Sequence, residues 1–136
     1  MTIKEMNIGD YATISKTVTE TDVYLFAGIT GDLNPAHTNE EDAKNGMFGE
    51  RIAHGMLSAG FISAVLGMKL PGPGTIYLGQ ELKFTKPVKF HDTITATCTV
   101  SEMIEEKNIV KIETICTNQH GEVVVKGMAT AMPPKQ

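Results

Sequence analysis

An aspartate and a histidine five positions apart, in Asp32-x-Asn34-Pro35-x-His37, are the first residues of this sequence whose types could do chemistry together. Imidazole titrates nearest to neutrality, and a carboxylate beside it can divide a proton-transfer task with it. Pro35 removes a backbone donor and restrains Asn34 before it, so the run from Asp32 to His37 is expected to be an irregular loop. Loops beside rigid elements are where acid–base groups commonly sit. The same residue types also close ordinary turns, with Asp32 and Asn34 as caps and His37 at a helix start. Spacing alone leaves both readings open.

A second group opens an apolar helix: Phe48-x-x-x-Ile52-Ala53-His54-Gly55-Met56-Leu57. A glycine at such a start lets a ligand approach the backbone. The free N–H groups of a first helical turn make an anion site for a developing oxyanion. The plainer reading is that Gly55 permits tight packing and that His54 is bonded to backbone. A metal held by Asp32, His37 and His54 has little support, since no His-x-x-x-His or cysteine pair accompanies them. No metal and no cofactor are expected.

The elements that must position these groups follow from periodicity. Tyr11 to Val18 reads as a first strand. Thr19, with Asp22 three residues on, starts a short helix carrying Val23, Phe26 and Ala27, which Gly28 and Gly31 end. Thr38 or Asn39 caps a second short helix whose first turn holds Glu40, Glu41 and Asp42, a placement that suits the helix dipole. Gly55 to Leu66 is apolar nearly all round, so it is expected to be covered on most sides. Pro71-Gly72-Pro73-Gly74 stops it. Strands then follow: Tyr77 to Phe84 with Gly79 a candidate bulge, Thr93 to Val100, Val110 to Cys116, and Val123 to Met132. Asn118 to Gly121 is a plausible hairpin loop. Ile94, Ala96, Cys98 and Val100 alternate with four threonines. Helices first and strands second argue an α+β fold, an antiparallel sheet around one buried helix.

Composition sets the remaining bounds. The 136 residues are 41% hydrophobic and 21% charged, enough for one globular domain spanning 1–136. A net charge of −4 and a single arginine, Arg51, argue against nucleic acid as a partner. Met1 to Asp10 shows no leader-like pattern, and Gly55 to Met68 is too short for a membrane span, so no membrane partner is expected. The two cysteines, Cys98 and Cys116, lie in strand-like runs where cysteine acts as a small hydrophobe. Too few for a disulfide framework, they suit a reducing cytoplasm.

Three stretches together resemble a family. Phe26-Ala27-Gly28-Ile29-Thr30-Gly31-Asp32-Leu33-Asn34-Pro35-Ala36-His37 is similar to the motif of the MaoC-like, (R)-specific enoyl-CoA hydratases of the hot-dog fold. Ile52 to Leu57 is similar to the start of their central helix, and Tyr77 to Val88 to the strand after it. The resemblance runs from about Asp10 to Met132. It implies Asp32 and His37 as the catalytic pair, with the Gly55 N–H facing the thioester carbonyl. Ser63 is implied to line the site, and Asn34, inside the motif, joins these two as a substrate-binding candidate. The implied reaction is reversible addition of water to a trans-2-enoyl-CoA, giving the 3R hydroxyacyl product, by a homodimer of hot-dog subunits. Lys83, Lys86 and Lys89 are candidates to meet CoA phosphates, or else lysines guarding a strand edge. The turn before Thr93 departs from the pattern, with His91-Asp92 where related sequences more often carry Gly-Asp; this bears on a hairpin. An acyl-CoA thioesterase and a non-catalytic acyl-thioester-binding module stand as the alternatives.

Overall fold

The computed structural model describes all residues, 1–136. Strand β1 (Tyr11–Thr17) leads into helix α1 (Glu20–Thr30), two short helices α2 (Pro35–Thr38) and α3 (Glu40–Lys44), and the long helix α4 (Gly55–Met68). Strands β2 (Ile76–Phe84), β3 (Thr93–Ile104), β4 (Ile109–Thr117) and β5 (Val123–Met132) follow. They form one five-stranded sheet in the order β1-β3-β4-β5-β2. Every pairing is antiparallel. This is the α+β hot-dog arrangement, with α4 laid across the sheet.

The alternation that marked β3 works as expected. Ile94, Ala96, Cys98 and Val100 are wholly buried on the face that meets α4. They join Val110, Ile112, Ala129 and Ala131 from the sheet and Ile62, Val65 and Leu66 from the helix in one core. Close packing makes each of these positions sensitive to volume. The Cys116 thiol donates to the Ser58 carbonyl at 3.7 Å, so the helix is tied to β4 by a polar contact as well. On β2 the register slips between Tyr77 and Gly79, a bulge at the position the sequence suggested.

The caps are also where the residues put them. Thr19 Oγ1 accepts from the Asp22 N–H at 3.1 Å, and the Asp22 carboxylate accepts from the Thr19 N–H at 3.0 Å. Lys16 at 2.7 Å holds the Asp22 carboxyl below the ordinary carboxylate range, helped by the Thr19 N–H. Gly31 ends α1 in the left-handed conformation, φ 82°, which turns the chain toward the loop that follows.

Two expectations need correction. The run around Pro35 is not wholly irregular: Pro35 to Thr38 forms a helical turn, because proline is well suited to the first helical position and Asn34 caps it. Helix α4 is not covered on most sides either. Ser58, Ile62, Val65 and Leu66 are buried, whereas Met56, Gly60, Ser63 and Gly67 form an open stripe. One sheet covers one side of a helix, and the stripe of small residues lies away from it.

Candidate active site

The loop between α1 and α2 is braced by its own polar side chains. Asp32 Oδ1 accepts from the Asn34 N–H at 3.2 Å, and Asn34 Oδ1 accepts from the Ala36 N–H at 3.0 Å. The Thr38 hydroxyl donates back to the Leu33 carbonyl at 3.1 Å. From outside the loop, Tyr24 Oη donates to the Thr38 carbonyl at 2.9 Å, and Arg51 donates to Tyr24 Oη at 2.7 Å. Arg51 also pairs with Glu20 at 3.1 Å and lies 4.8 Å from the centre of the Phe90 ring. The single arginine is therefore spent on bracing α1 against the site.

His37 is fixed by one hydrogen bond. Its Nδ1 lies 2.7 Å from the Ile52 carbonyl. A carbonyl only accepts, so Nδ1 carries the proton and Nε2 is left to exchange one. His54 Nε2 lies 3.0 Å from the Asp32 carbonyl and donates to it by the same reasoning. The rings of His37 and His54 stack at 3.9 Å, inclined by 30°. Polar side-chain atoms of Asp32, His37 and His54 all lie within 4.8 Å of one another. The Asp32 carboxylate is exposed and His37 half-buried. The loop and the turn that follows it thus bring Asp32 and His37 together.

These three residues do not make a good metal site. His37 Nδ1 and His54 Nε2 are engaged with carbonyls, and His54 Nδ1 is sealed from solvent. The Asp32 carboxylate and His37 Nε2 remain, two groups where a catalytic zinc site commonly uses three. The donor set suits proton transfer.

A cleft of about 440 Å³ opens beside His37, lined also by Ile52, Gly55, Met56, Phe84 and Lys86. Gly55 is the first residue of α4, and its N–H has no acceptor in the chain. It is a free donor at a helix N-terminus, where negative charge is favoured. The packing reading of Gly55 holds as well. A Cβ there would lie 2.6 Å from Phe84 Cδ1. Glycine lets the Phe84 ring rest on the backbone.

The remaining candidates divide. Ser63 is exposed and lines an adjoining cleft of about 540 Å³ with Phe26, Tyr77 and Gln80, not the one at His37. Met56 and Phe84 border both clefts. Asn34 spends its carbonyl on capping α2. Lys86 lines the His37 cleft and pairs with Glu122. Lys83 does not reach that cleft: it sits opposite Lys126 on β5, on the other face of β2 from Phe84. Lys89 lies 3.8 Å from Glu50. Sequence reasoning gave no part to Phe84, Tyr24 or Arg51. For Phe84 the signal was its alternation with Leu82 near a strand end; for the other two there was none, since they meet across 27 positions.

The chain is similar to known proteins over nearly all of its length. A family model described as the MaoC like domain matches residues 8–124. The chain is 54% identical over 131 residues to a protein of Rhodospirillum rubrum named (R)-specific enoyl-CoA hydratase, covering 96% of this chain and 90% of that one. Its fold superposes on the unliganded R-hydratase PhaJ1 from Pseudomonas aeruginosa with a TM-score of 0.95 and 44% identity, over 99% of this chain and 86% of that one. The (R)-hydratase from A. caviae involved in PHA biosynthesis gives 0.93 and 37%, over 96% and 99%. With residues 8–124 matched, a span that holds the Asp32–His37 loop, the glycine-led helix and most of the sheet, the chain belongs to the family of MaoC-like domains.

Proposed function

We propose that this chain is a one-domain (R)-specific enoyl-CoA hydratase, a hydro-lyase that adds water reversibly to a trans-2-enoyl-CoA to give the (3R)-3-hydroxyacyl-CoA. The observation that carries the reading is the Asp32 carboxylate and the His37 imidazole brought within 4.8 Å of each other, with His37 and the unpartnered Gly55 N–H on one cleft. The similarity to a protein named as such a hydratase supports the substrate and the stereochemistry.

In this reading the thioester carbonyl lies against the Gly55 N–H. Asp32 takes a proton from water as its oxygen bonds to C3 and the double-bond electrons move onto the thioester oxygen. His37, entering the step with both ring nitrogens protonated, then delivers its Nε2 proton to C2 and is left as the neutral ring with Nδ1–H still on the Ile52 carbonyl, while the enolate becomes the saturated thioester. Protons returning from Asp32 and to His37 through solvent reset the pair. Both groups act from one side of the double bond, so addition is syn. The Gly55 donor would contribute about 3–4 kcal/mol at the developing oxyanion. The C–S bond stays intact because water is held over C3 and not C1.

The open stripe of α4 at Met56, Gly60, Ser63 and Gly67 supports a homodimer, with a second copy covering what the sheet leaves bare. Because Lys86 lines the cleft, it is the lysine we assign to a CoA phosphate. No helix of the chain is long and apolar enough to cross a membrane. Both cysteines are free and buried, in keeping with a cytoplasmic home. The test is purified protein with crotonyl-CoA, followed at the enoyl-thioester absorbance with chiral analysis of the product. Loss of absorbance with 3R product is the expected result. Release of free CoA thiol from saturated acyl-CoA would replace the reading with a thioesterase.

A further inference from the structure

His54 is the one titratable side chain at the site that this reaction scheme leaves idle. It is 3% exposed and stands immediately before Gly55, at the N-cap of α4, yet makes no capping hydrogen bond. Its Nδ1 is the one buried side-chain polar atom of the chain without a partner. An unpaired buried polar atom is costly, and an apolar ring would fill the same space without that cost. Two of its contacts fall on the proposed catalytic pair: Nε2 donates to the Asp32 carbonyl at 3.0 Å, and the ring stacks on His37 at 3.9 Å. Phe26 packs against His54 in turn, at 4.8 Å.

These contacts supply what the other restraints lack. The bond from His37 Nδ1 to Ile52 fixes one point of the imidazole and leaves the ring free to tilt about it. A flat partner against its face removes that freedom. The backbone at Asp32 is held on one side by its own N–H, bonded to Thr30 Oγ1 at 3.1 Å, and its carbonyl needs a donor from elsewhere. A histidine presents a ring face and an N–H at once.

We propose that His54 is a positioning residue of the site, clamping the Asp32 carbonyl with Nε2 and setting the plane of His37 with its ring. The inference rests on the reading that Asp32 and His37 carry the hydration. Three variants separate its two contacts. His54→Gln keeps a donor and loses the ring, His54→Phe keeps a ring and loses the donor, and His54→Ala loses both. Their kcat and KM for crotonyl-CoA are measured with melting temperature and the ¹⁵N-detected ring signals of His37. His54→Ala is expected to lower kcat by about 10- to 10²-fold, the scale for a displaced reacting group, with KM within about twofold of wild type. The Gln and Phe variants should each recover part of kcat. The His37 Nδ1–H signal should persist in His54→Phe and broaden in His54→Gln and His54→Ala. A wild-type kcat in His54→Ala overturns the proposal. So does an equal kcat loss in all three variants with the His37 signal unchanged. Should His54→Ala fail to fold, the Gln and Phe pair decides it alone. If wild-type protein does not hydrate crotonyl-CoA, the hydratase reading falls, and the His37 ring signals still show whether His54 positions that residue.

Discussion

His37 donates through Nδ1 to the carbonyl of Ile52, 15 positions away, at 2.7 Å. The Ile52 N–H in turn donates to the Ala36 carbonyl at 3.1 Å, and Ile52 bridges to Lys89. The segment leading into α4 and the turn carrying His37 therefore hold each other. One consequence is chemical: Nε2 is the only ring nitrogen of His37 left to exchange a proton with a substrate. The other is geometric, since the helix that begins at Gly55 is linked through three residues to the imidazole it faces.

Gly55 is under two demands, and they can be separated. Gly55→Ala keeps the backbone N–H but puts a Cβ 2.6 Å from Phe84 Cδ1. Overpacking of this sort costs about 1–3 kcal/mol, which thermal or urea unfolding will read. Phe84→Ala combined with Gly55→Ala should recover most of that loss, because the clash is with the Phe84 ring. Loss of stability that persists in the double variant would show that Gly55 is needed for something other than room.

The thiols give a pH prediction. Burial pushes both Cys98 and Cys116 up to about 12. A group whose folded value is raised favours the native state fully below its unfolded value, near 9, and less as pH climbs toward the folded one. Stability should therefore fall above pH ~9, and replacing Cys98 with alanine should flatten part of that fall. In native protein at neutral pH neither thiol should react with a disulfide reagent, and both should react in denaturant. Fast labelling of the folded chain would contradict the burial.

His91 stands at φ 75° in the turn before β3, a left-handed conformation that costs a side-chain-bearing residue about 1–2 kcal/mol. Its N–H is bonded to the Val18 carbonyl at 2.7 Å, so the turn is held in place regardless. His91→Gly should raise stability by about 0.5–1 kcal/mol, the relief of strain less the extra freedom of glycine in the unfolded chain. The departure from the Gly-Asp pattern noted in the sequence is thus a point of strain. Unchanged or lower stability in urea would contradict it.

What was legible in the sequence had a local cause. Strand β3 shows its buried face because pleating alternates side chains, and Ile94 to Val100 obey that alternation without exception. Thr19 was readable as a cap, and Asn39 as one of two choices with Thr38, because the residues they bond lie three positions on. What was not legible depended on three-dimensional direction. Lys83 and Lys86 look equivalent on paper, yet Lys83 lies within β2 and Lys86 beyond its end at Phe84, so strand alternation no longer relates them. Ser63 and Gly55 share a helix but lie about 12 Å apart along its axis, and they open into different clefts. The open stripe of α4 was hidden because Gly60 and Gly67 carry no side chain to mark a face.

The catalytic assignment makes the sharpest prediction. Asp32→Asn removes a proton acceptor while leaving an oxygen to accept from the Asn34 N–H, so the loop should keep its shape. His37→Ala removes the exchanging nitrogen and the bond to Ile52. Each should lower hydration of crotonyl-CoA by at least ~10²-fold, the usual scale for losing a positioned acid or base. Asp32 is exposed, and Asp32→Asn should leave the melting temperature close to wild type. The double variant should be little worse than either single, because two groups serving one water and one C2 proton work as a unit. Ser63→Ala should cost much less, as Ser63 lies in the adjoining cleft and carries no transferable proton in the scheme. Near-wild-type rates in both single variants would remove Asp32 and His37 from the chemistry. A Ser63 loss as deep as theirs would require the two clefts to act as one.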